Sequence, residues 1–216
     1  AGFALWVEQL LAESTGKNGK GLVPIVEPYD GDDAQHPEIE LPDPYELGQE
    51  FFRWEFATAV AGHLMNIDPF DQPDVQAAKD MTNQVLETGE EPSLESEGDF
   101  RELLASAADG DYFHVQAFVD PANEERLGDL VGALRATGRP VSWGLGPRYL
   151  HSTGQLHKGG PNTGLFVQVV DDAGDELPIP GRDFGFRRLI HSQAAGDLAS
   201  LEERGRRIAR VRLEDL

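Results

Sequence analysis

Apolar side chains recur at helical spacing over residues 3–13, at Phe3, Trp6, Val7, Leu10 and Leu11, and predict a helix running into Glu13. Glycines from Gly16 to Gly21 end it, and the run Gly21-Leu-Val-Pro-Ile-Val reads as a buried strand. An acidic, proline-containing loop follows from Asp30 to Pro44. A long helix with a broad apolar face is predicted from Glu46 to Met65, and another from Pro73 to Val85. Thr88 to Gly98 is acidic and nearly devoid of bulky apolar residues, which marks it as an internal linker.

The second half alternates. Phe100–Ala107 reads as a helix, Tyr112–Val119 as a strand, Asn123–Ala136 as a helix and Val141–Gly144 as a short strand. A short helix from Leu150 or His151 to Lys158, a strand at Leu165–Val170, one or two helices over Phe184–Arg204 and a strand at Ile208–Leu213 complete the pattern. Strand–helix–strand alternation of this kind predicts an α/β fold, a mainly parallel sheet covered on both faces as a three-layer α/β/α sandwich.

At 216 residues the chain can bury a sizeable core. It has no apolar run long enough to span a membrane and opens with no basic-then-apolar leader, so no membrane association is expected. The chain begins at Ala1 without a methionine, as expected of a domain cut from a longer polypeptide. Six histidines and no cysteine exclude disulfides and thiolate metal sites and suit a cytoplasmic enzyme.

The net charge of −21 argues against a nucleic-acid partner, since phosphate backbones need basic patches. The four lysines, Lys17, Lys20, Lys79 and Lys158, fall in glycine-rich or otherwise distinctive segments, while the remaining surface draws its positive charge from arginine. In so acidic a chain an anion site needs this local concentration.

Three segments could carry chemistry. The first is Glu8 to Gly21, where Glu13 closes a helix and Ser14, Lys17 and Lys20 occupy the turn beyond it. A carboxylate is thereby placed beside donors for an anion, although composition alone reads more simply as a helix C-cap with solvated lysines. The second is Phe70-Asp-Gln-Pro-Asp-Val-Gln-Ala-Ala-Lys79. Pro73 suits a first helical turn, Asp71 is placed to cap it, and Phe70 and Asp71 anchor a start from which Lys79 projects at a fixed bearing.

The third segment is Gly146 to Gly164, in which His151, Ser152, Thr153 and Gln155 follow a short strand. His157 does not share a helix face with His151, and no acidic ligand is suitably spaced, so a zinc pair is not expected. His63, His114 and His191 read as structural residues and His36 as an exposed loop residue.

These segments resemble the glucose-6-phosphate isomerase family. Glu13-Ser-Thr-Gly-Lys17 is similar to the family's glutamate stretch. Gly62-His-Leu-Met, four residues, then Phe70-Asp71-Gln72 on to Lys79 is similar to its lysine signature, with Asp74 where the family has Gly or Ala. Leu150-His-Ser-Thr-Gly-Gln155 is similar to its histidine stretch, and the Gly-Gly-Pro-Asn-Thr-Gly that follows brings the chain closest to the isomerase part of bifunctional transaldolase–isomerase fusions. The order here is Glu13, Lys79, His151, whereas ordinary members run Glu, His, Lys. The family's serine/threonine phosphate loop and its Gly-Gly-Arg signature are absent.

The resemblance implies a sugar-isomerase (SIS)-like domain over 1–216, the C-terminal part of a larger enzyme completed by a preceding SIS domain, and it leaves open whether a transaldolase domain is attached. It implies interconversion of glucose 6-phosphate and fructose 6-phosphate through an enediolate, without metal or redox cofactor, and it admits a homo-oligomer. Glu13, Lys79 and His151 are the implied catalytic residues, and Ser14, Lys17, Lys20, Gln72, Ser152 and Gln155 the implied substrate-binding ones. A non-catalytic sugar-phosphate-binding module and a scaffold for a transaldolase stay open as alternatives.

Overall fold

The structure, a computed structural model, describes residues 2–26, 28–32, 34–37, 39, 43–172 and 175–216. Helices α1 (Gly2–Thr15), α2 (Leu47–Met65), α3 (Pro73–Glu87) and α4 (Phe100–Ala105) precede the first strand, β1 (Tyr112–Phe118). Then come α5 (Leu127–Arg135), β2 (Val141–Leu145), α6 (Gly154–Gly159), β3 (Gly164–Val170), α7 (Phe186–Glu203) and β4 (Arg207–Arg212). The strands form one parallel sheet in the order β2-β1-β3-β4 with helices on both faces, an α/β fold. None of its described helices is long and apolar enough to cross a membrane.

The two faces of the sheet differ in chemistry. Alternate residues of a strand point to opposite sides. Phe113, Val115 and Ala117 of β1 join Leu165, Val167 and Val169 of β3 and Leu127, Leu130, Val131 and Leu134 of α5 in an apolar core. The intervening positions carry His114, Gln116, Gln168 and Arg210, all buried. They lie toward α6 and α7: the His114 ring stands 4.0 Å from that of His157, and Gln168 Nε2 donates to Ala194 O at 3.0 Å. Parallel strands buried on both sides read as continuous buried runs, and here one side of the run is mixed, its polar groups standing beside buried Phe118, Phe166 and Val170.

Several expected elements differ. Residues 21–26 form no strand, and Leu22 is 43% exposed. Pro24 lacks the N–H a ladder needs, and Leu22 N instead donates to Thr15 Oγ1 at 3.0 Å. The single helix expected over 123–136 is a 3₁₀ turn at Pro121–Arg126, capped by Asp120 Oδ1, leading into α5. The expected acidic loop is only partly traced, positions 33, 38 and 40–42 lying outside the described residues. The acidic stretch 88–98 runs along the outer edge of β4, where Glu97 and Arg210 exchange backbone hydrogen bonds of 3.0 and 2.7 Å. That contact covers an edge strand that would otherwise present unpaired groups.

His114 and His191 are buried, His114 Nδ1 lying 2.7 Å from Ser142 Oγ and His191 Nδ1 3.1 Å from Glu91 Oε1. His36 is exposed. His63, expected to be structural, is exposed in the last turn of α2, its face of the helix turned to solvent.

Candidate active site

The turn after α1 packs closely against α6 at Gly16 and Gly21. Gly16 lies against α6 so closely that a Cβ there would meet Leu156 Cα at 2.3 Å. Thr15 Oγ1 donates to Leu11 O at 2.7 Å and tightens the helix end. Lys17 turns inward and is 2% exposed. Its ammonium donates to Asp68 O at 2.7 Å and to Asp71 O, and pairs with Asp71 Oδ1 at 3.0 Å.

Lys17 was expected to hold substrate. Its three donors are instead spent on the segment between α2 and α3, so it acts as a clamp on that segment. Lys20 is exposed and donates to Met65 O at 2.7 Å, satisfying a carbonyl at the end of α2.

The start of α3 also departs from expectation. Gln72, exposed, occupies the N-cap position without a side-chain cap bond, while Asp71 answers Lys17 rather than the helix. Phe70 is 86% exposed and anchors nothing, and the turn is held by Asp68 Oδ1, which accepts from Phe70 N at 2.9 Å. Pro73 opens the helix as expected.

Asp74 is buried and tied on two sides. Its Oδ1 pairs with Arg204 at 2.6 Å and its Oδ2 accepts from Gln155 Nε2 at 2.7 Å. Gln155, expected to bind substrate, is 1% exposed. Its amide also donates to Gly16 O at 2.9 Å and accepts from Asp74 N at 3.1 Å. Both of its N–H donors are spent and its oxygen holds Asp74 N, so Gln155 joins the turn after α1 to α3 and α6.

One cavity of about 180 Å³ lies between α3, α6, α7 and the turn at Arg148–His151. Lys79 of α3 and His151, both exposed, line it from opposite sides in the chain, together with Asp74, Gly154, Lys158 and Gln193. Glu13 is not among the lining residues. It is half-buried in the last turn of α1, with Gln9 Nε2 3.3 Å from its Oε2. Burial raises its pKa above the ordinary glutamate value, while the Gln9 hydrogen bond and the charges of His151 and Lys17 pull it back in part. Lys79 and His151 thus line one cavity, and the charge of His151 acts on the Glu13 carboxylate outside it. Ser14 is half-buried beside Glu13, and Ser152 Oγ donates to Tyr149 O at 3.2 Å.

A curated glucose-6-phosphate isomerase from Exiguobacterium sibiricum is 49% identical to this chain over 43 residues. That stretch is 19% of the chain and 10% of the relative, so the chain matches about a tenth of the relative's length. No family profile matches. A solved hypothetical protein from Thermus thermophilus superposes with a TM-score of 0.43 at 17% identity, over 63% of this chain and 38% of that one.

Residue-by-residue reading missed the most buried part of this cavity. Lys158 stood out only as one of four lysines. Its partner Asp197 lies in α7, and Tyr149 OH donates to the same carboxylate at 2.5 Å. No spacing rule links residues 39 apart, and only the packing of α6 on α7 reveals the pair.

Proposed function

We propose that the chain is the C-terminal part of a sugar-phosphate isomerase that interconverts glucose 6-phosphate and fructose 6-phosphate. The observation that carries this reading is the cavity lined by both Lys79 and His151, two residues that resemble separate parts of one family's active site. The 43-residue match to a glucose-6-phosphate isomerase supports it. The cavity, at about 180 Å³, is smaller than the ~300–1,000 Å³ typical of ligand pockets. That size suits a site completed by another part of the protein, which would hold most of the phosphate.

In this mechanism His151 assists ring opening by proton transfer at the ring oxygen. Lys79 lies near that oxygen or the adjacent hydroxyl. Glu13 takes the C2 proton and returns it at C1 through an enediolate, whose negative charge Lys79 stabilises in part. A free glutamate near pKa ~4.3 is a weak base at neutral pH, so the upward shift at Glu13 favours proton abstraction.

The position of Glu13 outside the cavity lining favours a second reading, a module that binds a sugar phosphate without turning it over. The deciding measurement is solvent-deuterium incorporation at C2 by the full-length protein, wild type against Glu13→Gln. Incorporation that Glu13→Gln abolishes with little change in sugar-phosphate binding supports the isomerase. Incorporation unchanged in Glu13→Gln, or absent from wild type that still binds the sugar phosphate, supports the binding module.

A further inference from the structure

The deepest group lining the cavity is a cation that the mechanism above leaves unused. Lys158 is 3% exposed, and its Nζ pairs with Asp197 Oδ1. Asp197 is fixed from its other oxygen by the Tyr149 hydroxyl. The main chain around Lys158 is fixed by Arg206, whose Nη2 donates to Lys158 O and, at 2.8 Å, to Gly160 O. The ammonium is therefore held from both ends.

Four features point to a ligand. An ammonium has three donors, and Asp197 is the acceptor it meets among the described residues, which leaves donors for the cavity. The residue beside it is Gly154, also in the lining, where an added Cβ would lie 3.8 Å from Nζ. The carboxylate in the lining, Asp74, is already matched by Arg204 and Gln155. Lys79 and Lys158 are thus the cations of this lining, Lys158 with Asp197 behind it as counter-ion, in a chain of net charge −21. A fourth feature is Gln193 Oε1, a buried acceptor in the same lining with no partner among the described residues. Such an atom is satisfied by a ligand hydroxyl or a water.

We propose that Lys158 is the anion-binding group of this cavity, holding an anionic oxygen of a hydroxylated ligand whose hydroxyl donates to Gln193 Oε1. The ligand class is a polyol phosphate monoester. The anionic oxygen belongs either to its phosphate or to the oxygens of its reacting end. That the ligand is a sugar phosphate undergoing isomerisation rests on the reading above, whereas the anion site does not.

Two probes separate the sources: inorganic phosphate, and gluconate, whose carboxylate stands for the reacting end without a phosphate. Each is titrated calorimetrically into the full-length protein at fixed ionic strength, as wild type, Gly154→Ala and Lys158→Met. The methyl of Gly154→Ala meets only ordinary contacts, the shortest being 3.7 Å to Tyr149 O. Alanine is also the better helix former, so this variant keeps the fold even where Lys158→Met loses it.

At least one probe is expected to bind wild type and to weaken about fivefold or more in Gly154→Ala, the scale of one impaired charge-assisted hydrogen bond. Binding should be lost in folded Lys158→Met. Phosphate responding places the phosphate at Lys158, and gluconate alone responding places the reacting end there. Absence of binding by both probes, or equal binding by wild type and Gly154→Ala, overturns the proposal. Lys158-dependent binding in a protein without C2 exchange keeps the anion site and discards the isomerase reading.

Discussion

Gln155 and Asp74 hold each other in both directions: the Gln155 amide donates to Asp74 Oδ2 at 2.7 Å and accepts from Asp74 N at 3.1 Å. The same amide reaches Gly16 O at 2.9 Å, and Asp74 continues to Arg204. Four segments meet at this knot, which forms the wall between the turn after α1 and the cavity. Asp74 stands where the resembling family has a small residue, and here its carboxylate has structural employment.

Gly159 shows how tightly the knot is packed. A Cβ there would lie 2.4 Å from Asp74 Oδ2, 2.5 Å from Gly16 O and 2.7 Å from Gln155 Nε2. Gly159→Ala is expected to destabilise by about 1–3 kcal/mol, the usual range for overpacking. Asp74→Ala should remove one of the three clashes, so the double variant should be more stable than additivity allows, by about 0.5–1 kcal/mol. Urea unfolding of the four proteins measures this. Strict additivity would mean that Asp74 does not press on position 159.

Lys17→Met should be costly although the residue was expected to serve a ligand. The variant leaves Asp68 O and Asp71 O without their donor. Hydrogen bonds from a charged donor are worth about 1.5–3 kcal/mol, and a loss on the order of 2–3 kcal/mol is expected by urea unfolding. Asp71 is half-exposed, so its freed carboxylate is solvated and adds little. A stability equal to wild type would show Lys17 to be dispensable for the fold.

Much of the α/β architecture is legible in the sequence because parallel strands such as β1 (Tyr112–Phe118) and β3 (Gly164–Val170) are buried on both sides and leave long apolar or mixed runs between glycine turns. The run at residues 21–26 has the same look and forms no strand, since Pro24 blocks a ladder there. The polar groups on one face of the sheet are legible only in hindsight. His114, Gln116 and Gln168 look like interruptions until α6 and α7 cover them. At the site, local spacing places Pro73 at its helix start, whereas Asp71, Lys17 and Gln155 are decided by partners far away in the chain. Short polar side chains near a helix end compete between local caps and distant ions, and a sequence window contains only the first of these.

The buried histidines make stability fall with acidity. Burial is the main cause holding His114 neutral, with Lys158 adding to it, and its pKa is pulled down to about 3; burial pulls His157 well below the ordinary value too. Unfolded, each protonates near ~6.5. Their contribution is therefore full above pH ~6.5 and is lost as pH falls from there toward the folded-state value of about 3. Each adds a slope approaching about 1.4 kcal/mol per pH unit. Urea unfolding between about pH 6.5 and 5 should show this decline, and His114→Gln should cut the slope by about half. A flat profile over that range would contradict neutral buried histidines.

The last expectation concerns Glu13 as a base and rests on the isomerase reading. Desolvation raises its pKa, and Gln9 works against that by donating to the ionised carboxylate at 3.3 Å. A base acts only when deprotonated, so the acid limb of kcat/KM for the full-length enzyme should lie above the ~4.3 of a free glutamate. Gln9→Leu removes the stabilising donor without touching the carboxylate. It should move the acid limb to still higher pH and lower kcat/KM more on the acid side of the profile than on its plateau. The hydrogen bond is exposed, so the displacement should be small. A displacement toward lower pH would show that Gln9 favours the protonated acid, and an acid limb indifferent to both Gln9→Leu and Glu13→Asp would assign the essential base to another residue.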